Sequence, residues 1–302
     1  MEFQADIPFI KQFSANLTVL PQQMGSRLRA IVDEESGLVG DSAFFDQIGV
    51  TEYQEIVTRH GDTPFMNTEH ARRMVVPTGI ETGDAIDKLD KVQQLINFES
   101  PYVQAGRMAL GRGIDDKIIA AATGTARTGK EGATSVVLPA SQKVAITAHP
   151  TTPATSGLTL FKLQEAARIL GEADVDPDLP RYFVCSERQK QDLLKLTETT
   201  SVDFNDRPTL VDGKITRFMG FAFIQTQRLL WAANVRTCFA FAKGGIRLGT
   251  WADMVVEVGK QPGKRWMWSY YINLFAAATR MVEDMVVEVA CADTTGKVTV
   301  KK

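Results

Sequence analysis

The residues best able to do chemistry in this 302-residue chain are few, and their spacing works against each candidate. Gly124 to Glu131 reads G-T-A-R-T-G-K-E, which fits a phosphate-binding loop until its last position, where Ser or Thr should hold magnesium and Glu131 stands instead. A carboxylate there repels phosphate, and the segment follows a helical pattern and not a strand, so a surface turn is the simpler reading. Gly111 to Asp116, G-R-G-I-D-D, lacks the third glycine of a dinucleotide fingerprint and sits inside that helical pattern. His60, His70 and His149 lie in polar stretches with no HxxxH or HExxH pairing for a metal, and no G-x-S-x-G elbow presents a nucleophile. Asp115 and Asp116 are adjacent, which points them about 100° apart on a helix and does not make a proton-sharing dyad. No catalytic, cofactor or metal site is expected.

The element that must organise the chain contains two of these candidates. From Phe98 to Thr125 the sequence opens with Ser100-Pro101, a helix start, because serine can accept from an orphan N–H and proline's missing donor is not needed in the first turn. Gly124 is the expected stop. Val103, Leu110, Ile114 and Ile118 recur on one helical face, while Arg107, Arg112, Asp115, Asp116 and Lys117 fall mostly elsewhere. Such a helix would be roughly 30 Å or more long. It carries Gly106, Gly111 and Gly113, each costing about 1 kcal/mol against alanine, which the chain accepts where another backbone must come close. The spacing predicts a spine with neighbours on more than one side.

Composition narrows the partners. The apolar fraction of 44% and charged fraction of 23% are those of an ordinary globular chain, long enough for one large domain or two modest ones. A net charge of −2 gives no electrostatic footprint for a dedicated nucleic-acid binder. Cys185, Cys238 and Cys291 are about fifty residues apart with no CxxC pair, and read as buried thiols of a reducing cytoplasm. No basic region followed by an apolar run opens the chain, and no window approaches about eighteen apolar residues, so no membrane partner is expected.

In chain order, residues 1–40 show little periodicity beyond a short helix around Arg27 to Val32 and read as an arm. Two strand-like pieces, Glu55 to Arg59 and Arg72 to Val76, flank the turn-prone His60 to Pro64; a hairpin this poor in apolar residues must lie on another surface. Asp84 to Asn97 has helical spacing. Strands are expected at Thr134 to Leu138 and Gln142 to Thr147, then a Thr/Pro-rich linker at Thr147 to Gly157 marks a boundary. Beyond it helix and strand alternate: a helix at Leu160 to Leu170, a strand at Tyr182 to Cys185, and a Ser186-capped helix to Leu196. The polar loop Thr197 to Pro208 leads to strands at Phe218 to Gln225, Thr237 to Ala242 and Met254 to Val258, with G-G-I-R-L-G as a turn before the last. Arg265 to Ala276, dense in aromatics, and Met285 to Ala290 close the chain as strands. The first and last thirds are therefore expected to share a sheet, with the middle third inserted between them.

The run from Asp87 to Ala126, including N-F-E-S-P-Y-V-Q-A-G-R-M-A-L-G-R-G-I-D-D-K, resembles the spine region of major capsid proteins of tailed bacteriophages. So do R-Y-F-V-C-S before a helix, G-K-I-T-R-F-M-G-F-A-F-I-Q-T at Gly213 to Thr226, and Y-I-N-L-F-A-A-A-T-R-M-V-E-D-M-V-V-E-V-A-C at Tyr271 to Cys291. The ordered set, spanning nearly the whole chain, carries the resemblance. It implies an α+β, Hong Kong 97-type capsid fold: an N-terminal arm (1–40), an E-loop hairpin (41–83), a P-domain with its long spine helix (84–150 and 261–302), and an inserted A-domain (151–260).

The resemblance implies a structural protein and not an enzyme. Copies would join as hexamers and pentamers into an icosahedral phage head around double-stranded DNA, assembled in the host cytoplasm and located in the virion. A portal, a separate scaffolding protein and a decoration protein are the further partners; the scaffold is expected because only about forty residues precede the hairpin. Some relatives crosslink an E-loop lysine to an asparagine, but here no lysine falls between Lys11 and Lys88, so a non-covalent shell is expected. Phe65, Arg72 and Arg73 are the expected intersubunit contacts. Two alternatives stay open: an encapsulin-like compartment shell, distinguished by protein cargo in place of DNA, and an α+β nucleotide-binding enzyme, which requires the Gly124 to Lys130 loop to bind nucleotide.

Overall fold

A computed structural model describes residues 22–56, 58–59, 61, 65–86, 99–150, 154–195, 210–211, 214–215 and 217–294. After a 3₁₀ turn at Arg29–Ile31 come strands β1 (Asp33–Ser36), β2 (Ala43–Ile48), β3 (His70–Val75) and β4 (Thr78–Ile86), then the long helix α1 (Glu99–Thr123). Short strands β5 (Ala126–Thr128), β6 (Thr134–Val136) and β7 (Lys143–Val144) lead to helix α2 (Leu160–Glu172), strand β8 (Arg181–Cys185) and helix α3 (Glu187–Leu194). Strands β9 (Leu210–Val211), β10 (Lys214–Ile215), β11 (Arg217–Phe218), β12 (Phe221–Gln225), β13 (Trp231–Ala232) and β14 (Val235–Ala242) follow. The long β15 (Ile246–Gln261) and β16 (Met267–Arg280) form one hairpin before β17 (Val286–Ala292).

Three sheets and the small β9–β10 pair collect these strands: β1-β15-β16-β4; β11-β12-β8-β14-β17-β7 with β13 paired on β14; and β2-β3-β5-β6. Alternation in β16 turns Ile272, Leu274 and Ala276 onto α1 and leaves Tyr271 and Phe275 exposed on the opposite face. Leu110, Ile114 and Ile118 of α1 share one core with those residues and with Phe183, Phe239 and Val287 of the larger sheet. The face expected from spacing is the buried face.

The glycines of α1 explain how close its neighbours come. A Cβ at Gly106 would sit 2.8 Å from Ile272 Cδ1, and one at Gly111 would sit 2.6 Å from the Cα and carbonyl carbon of Gly25. One glycine therefore admits the sheet and the other admits the backbone of the arm. The spine has neighbours on more than one side, as its sequence demands.

Several expectations require correction. The first strand of the hairpin is β2, not Glu55 to Arg59: Ala43 and Phe45 alternate inward with period two, whereas Tyr53 and Ile56 are exposed among the described residues and stand outside any strand. Asp84 to Ile86 belong to β4, because β16 supplies a backbone partner as far as Trp268 opposite Ile86. The remainder of the helix expected to Asn97 lies outside the described residues, as do residues 1–21 of the arm, Thr197 to Pro208, and the His60 to Pro64 turn except Gly61. Of G-G-I-R-L-G only the two glycines turn; Ile246 and Leu248 are buried and open β15, which pairs with β16 and not with the middle third.

The first and last thirds do share a sheet, through β1, β4, β15 and β16. The middle third is nevertheless not separate, because β17 lies between β14 and β7, with Val286, Val287, Val289 and Cys291 all buried. The expected linker is pinned as well. Lys162 of α2 is fully buried, and its ammonium donates to the carbonyls of Ile146 (2.9 Å), Ser156 (2.8 Å), Gly157 (3.0 Å) and Ala290 (2.9 Å). Burial pulls the Lys162 pKa down, and the four carbonyl dipoles are what receives its charge.

Gly111→Ala separates two effects by sign. Helix propensity alone would stabilise the chain by about 1 kcal/mol. The close approach of Gly25 predicts instead a loss of about 1–3 kcal/mol in urea unfolding, with faster tryptic cleavage at Arg27 and Arg29. A more stable variant would refute the close packing of arm and spine.

Candidate assembly surfaces

The chemically suggestive motifs resolve into structural parts. Ala126 to Thr128 of the phosphate-loop-like segment is strand β5, and its turn leads into strand β6 and not into the helix that a phosphate loop opens. His70 sits exposed at the loop end of β3 and His149 is exposed within the Thr147 to Gly157 segment, while His60 lies outside the described residues. No group of three or more potential metal ligands occurs among the described residues. All three cysteines are free and buried; burial pushes the Cys185 thiol up to about 12 and the Cys238 thiol well above its ordinary value. Among the described residues no helix is long and apolar enough to cross a membrane.

Asp115 and Asp116 diverge, as adjacent helix positions must. Asp115 is fully buried, and its carboxylate accepts from Gln23 Nε2 and Ser26 Oγ (both 2.5 Å) and from the backbone N–H groups of Arg27 and Leu28 (3.1 Å each). This carboxylate fastens the arm at the level of Gly111. One position on, Asp116 accepts from Arg228 Nε at 2.6 Å, tying α1 to the segment after β12. Arg29 clamps the next turn of the arm through Glu34 and Asp253, and holds both carboxyls below their usual range.

The three expected contact residues separate. Phe65 is 95% exposed in the loop beyond β2 and β3. Arg72 lies on the outer side of β3, paired with Asp46 at 3.0 Å, its guanidinium 5.4 Å from the Phe44 ring centroid. Arg73 points the other way and is buried: Nε donates to Met281 O (2.9 Å) and Nη2 to Glu283 Oε2 (2.6 Å).

Glu283 also faces Arg280, with Oε1 3.5 Å from its Nε. Arg280 is fully buried at the end of α1 and donates to the carbonyls of Ala122 (3.2 Å), Gly124 (2.7 Å) and Val136 (3.1 Å). A cation there meets the negative end of the helix dipole. Burial pulls its pKa down, and Glu283 opposes that shift. Arg73, Glu283 and Arg280 thus join the base of the hairpin, the end of the spine and the end of β6 in one charged junction.

Two apolar surfaces have no cover among the described residues. One is the loop between β2 and β3, where Val50, Tyr53 (89% exposed), Ile56 (93%) and Phe65 stand in solvent. The other is the outer face of the long hairpin, with Val255, Tyr271 and Phe275, continued by Trp266 (53%) at its tip. Exposed aromatics grouped in this way mark surfaces made for contact.

Sequence reasoning missed Asp115, Lys162, Arg280 and Glu283. For Lys162 a signal existed: it stands four residues before Ala166 and seven before Ile169, on the apolar face of α2. Asp115 follows the core residue Ile114 directly, but nothing local tells that the arm will cover it.

Residues 5–293 match the protein family described as phage capsid protein. The chain is also similar to solved structures of that kind. Against the capsid structure of the cyanophage P-SCSP1u the TM-score is 0.74, at 16% identity over 95% of this chain and 94% of that one. Against the cyanophage Pam1 capsid asymmetric unit it is 0.68, at 14% identity over 97% and 99%. Against a chain of Mycobacterium phage Che8 it is 0.67, at 14% identity over 95% and 98%. Identities this low speak for the fold alone. No curated protein matches the sequence.

Glu283→Ala tests the junction. Removing the carboxylate strands two buried guanidinium groups, and the expected loss is about 3 kcal/mol in urea unfolding. Glu288→Ala, which breaks the more exposed pair with Lys143 at 3.3 Å, should lose no more than about 1 kcal/mol. Equal losses would remove the special role of the junction.

Proposed function

Because the chain belongs to the phage capsid protein family and has the Hong Kong 97-type fold, it is a major capsid subunit of a virion, and we propose how its parts assemble. Copies join as hexamers and pentamers into an icosahedral shell around double-stranded DNA, which the shell contains without reading its sequence. The role is structural and not enzymatic. Synthesis and assembly take place in the host cytoplasm, with a scaffolding protein, a portal and a decoration protein as partners.

In this reading residues 41–83 form the E-loop, laid over a neighbouring subunit. Residues 84–150 and 261–302 supply the P-domain around α1, residues 151–260 the A-domain that meets its copies at the capsomer centre, and residues 1–40 the arm. Phe65 and Arg72 are contacts to the neighbour. Arg73 is engaged within its own chain, so its contribution is to set the angle at which the E-loop leaves the body.

The observation that carries the assembly reading is the exposure of Val50, Tyr53, Ile56 and Phe65 on a segment whose described residues include no buried apolar side chain. Burying such side chains contributes about 1.5–3 kcal/mol each, and obligate interfaces bury more than about 2,000 Å² in total. Burial also replaces covalent closure, since no lysine lies between Lys11 and Lys88 to form a crosslink.

Negative-stain electron microscopy and sizing of the expressed protein, alone and with its scaffold, should give capsomer rings or closed shells. On a denaturing gel, mature particles should run as a single subunit band. A chain that stays monomeric under every condition would overturn the capsid reading, and a ladder of covalent oligomers would overturn the non-covalent one.

A further inference from the structure

Resting on the capsid-subunit reading, we propose that Arg27, Arg112 and Arg228 form a phosphate-binding patch through which the subunit holds the enclosed double-stranded DNA. The three come from segments far apart in sequence: the arm, α1, and the segment after β12. Two adjacent carboxylates bring them together. Asp115 accepts from the backbone N–H of Arg27, Asp116 accepts from Arg228, and Arg112 precedes Asp116 by four residues on the same helical face. Arg27 also donates to the carbonyl of Gln225, three residues before Arg228. The three arginines are therefore fastened within about one turn of α1.

Cations outnumber their partners here. Asp116 is the one carboxylate that pairs with an arginine of the patch. Asp115 is fully buried and already satisfied by Gln23, Ser26 and the backbone of the arm, and Glu187 accepts from Gln225. Among the described residues neither Arg27 nor Arg112 has an ion-pair partner, and Arg112 donates only to the neutral Gln22 Oε1 (2.7 Å) and the Gln23 carbonyl (3.4 Å). Burial first, and the like charge of Arg228 second, pull the Arg112 pKa down, against the opposing influence of Asp116. Half-buried guanidinium groups held this near each other gain most when an anion lies between them. Nε and Nη2 of Arg112, Nη1 of Arg228, and Nε and Nη2 of Arg27 have no acceptor among the described residues and are left for it.

Forked, permanently charged donors fit the oxygens of a phosphodiester. A patch of three also suits a chain of net charge −2: it neutralises a few phosphates where the surface as a whole offers no attraction, and it reads no base. The patch lies apart from the aromatic contact surface. Gly106 and Gly113 of α1 face Ile272 of β16 and Ile80 of β4, and Arg112 lies about 100° or more round the helix from both. Tyr271 and Phe275 stand on the far side of that sheet, so neighbouring copies and enclosed DNA meet different faces of the subunit.

Salt dependence of DNA binding tests this with the full chain. Binding of a short duplex, followed by fluorescence anisotropy, should weaken about 40-fold between about 50 mM and about 200 mM salt, the loss expected for about three phosphate contacts. Arg27→Gln with Arg112→Gln should reduce that loss to about fourfold. Arg27→Lys with Arg112→Lys keeps the charge and should keep most of the salt dependence. Lys143→Gln with Arg168→Gln, an equal change of net charge elsewhere on the subunit, should leave it as in the unaltered chain. No binding by the unaltered chain, or an unchanged salt dependence in the double glutamine variant of Arg27 and Arg112, would overturn the patch. Poly-glutamate competing as well as duplex at equal charge would also overturn it, and would assign the arginines to an acidic protein. Electron microscopy of the same preparations separates this proposal from the capsid reading: particles without DNA binding overturn the patch alone, and the absence of particles overturns the capsid reading and, with it, DNA as the occupant.

Discussion

At Gly106 and Gly111 of α1 a core side chain and a second backbone lie closer than a Cβ would permit, and the rest of the subunit is arranged around that closeness. At Gly111 the approaching backbone is the arm, and an arm drawn that near a helix must find partners for its own N–H groups. Asp115, one turn on, supplies them by accepting from Arg27 and Leu28. Closeness and hydrogen bonding solve one problem together. The glycine removes the steric barrier, and the carboxylate removes the desolvation penalty that burying the arm would otherwise carry. At Gly106 the same allowance lets Ile272 of β16 reach the helix, which brings the long hairpin into the core.

The remaining buried charges mark places where segments distant in sequence must be held without a large apolar surface. Lys162 gathers carbonyls from both sides of the Thr147 to Gly157 segment and from β17. Arg280 gathers the carbonyls at the end of α1 and in β6, and through Glu283 it meets Arg73 at the base of the β2–β3 hairpin. A buried ion pair is a poor source of net stability, because desolvation cancels most of its attraction. It is, however, intolerant of misplacement, since either partner alone is severely destabilising. For an assembling subunit that trade is useful: the angle at which the β2–β3 hairpin departs matters more than a further increment of stability.

Residue spacing made the spine legible, down to the reason for its glycines, because a 3.6-residue period and a steric exclusion are both local facts. The sharing of one sheet by the first and last thirds was legible for a related reason: strands at both ends of the chain needed covering surfaces. What was not legible depends on long-range pairing. Glu55 to Arg59 has the composition of a strand, yet β2 forms elsewhere because Phe45 packs with Val75, Ala277 and Met281 and Ala43 pairs with Val75. Asp84 to Ile86 has helical spacing, yet β16 offers it a ladder. The residues expected to make contacts divided in the same way. Phe65 and Arg72 were placed outside by their types, and Arg73 looked equivalent until the pleat turned it inward, since adjacent strand residues face opposite sides.

That alternation has a consequence for how the chain separates folding from assembly. In β16 the residues that bury against α1 are Ile272, Leu274 and Ala276, and those that face outward are Tyr271 and Phe275. The two sets interleave on one strand but share almost no neighbours, so their contributions should be close to additive. An outward residue can change to suit a neighbouring subunit while the core that orients it stays intact, and the reverse change would disturb both. The hairpin is long because it serves both purposes: near Arg280 it is wrapped by core, and toward its tip it projects into solvent. A subunit whose stability lies on one face and whose valence lies on the other can be folded before it meets a partner, which lets assembly select among finished copies.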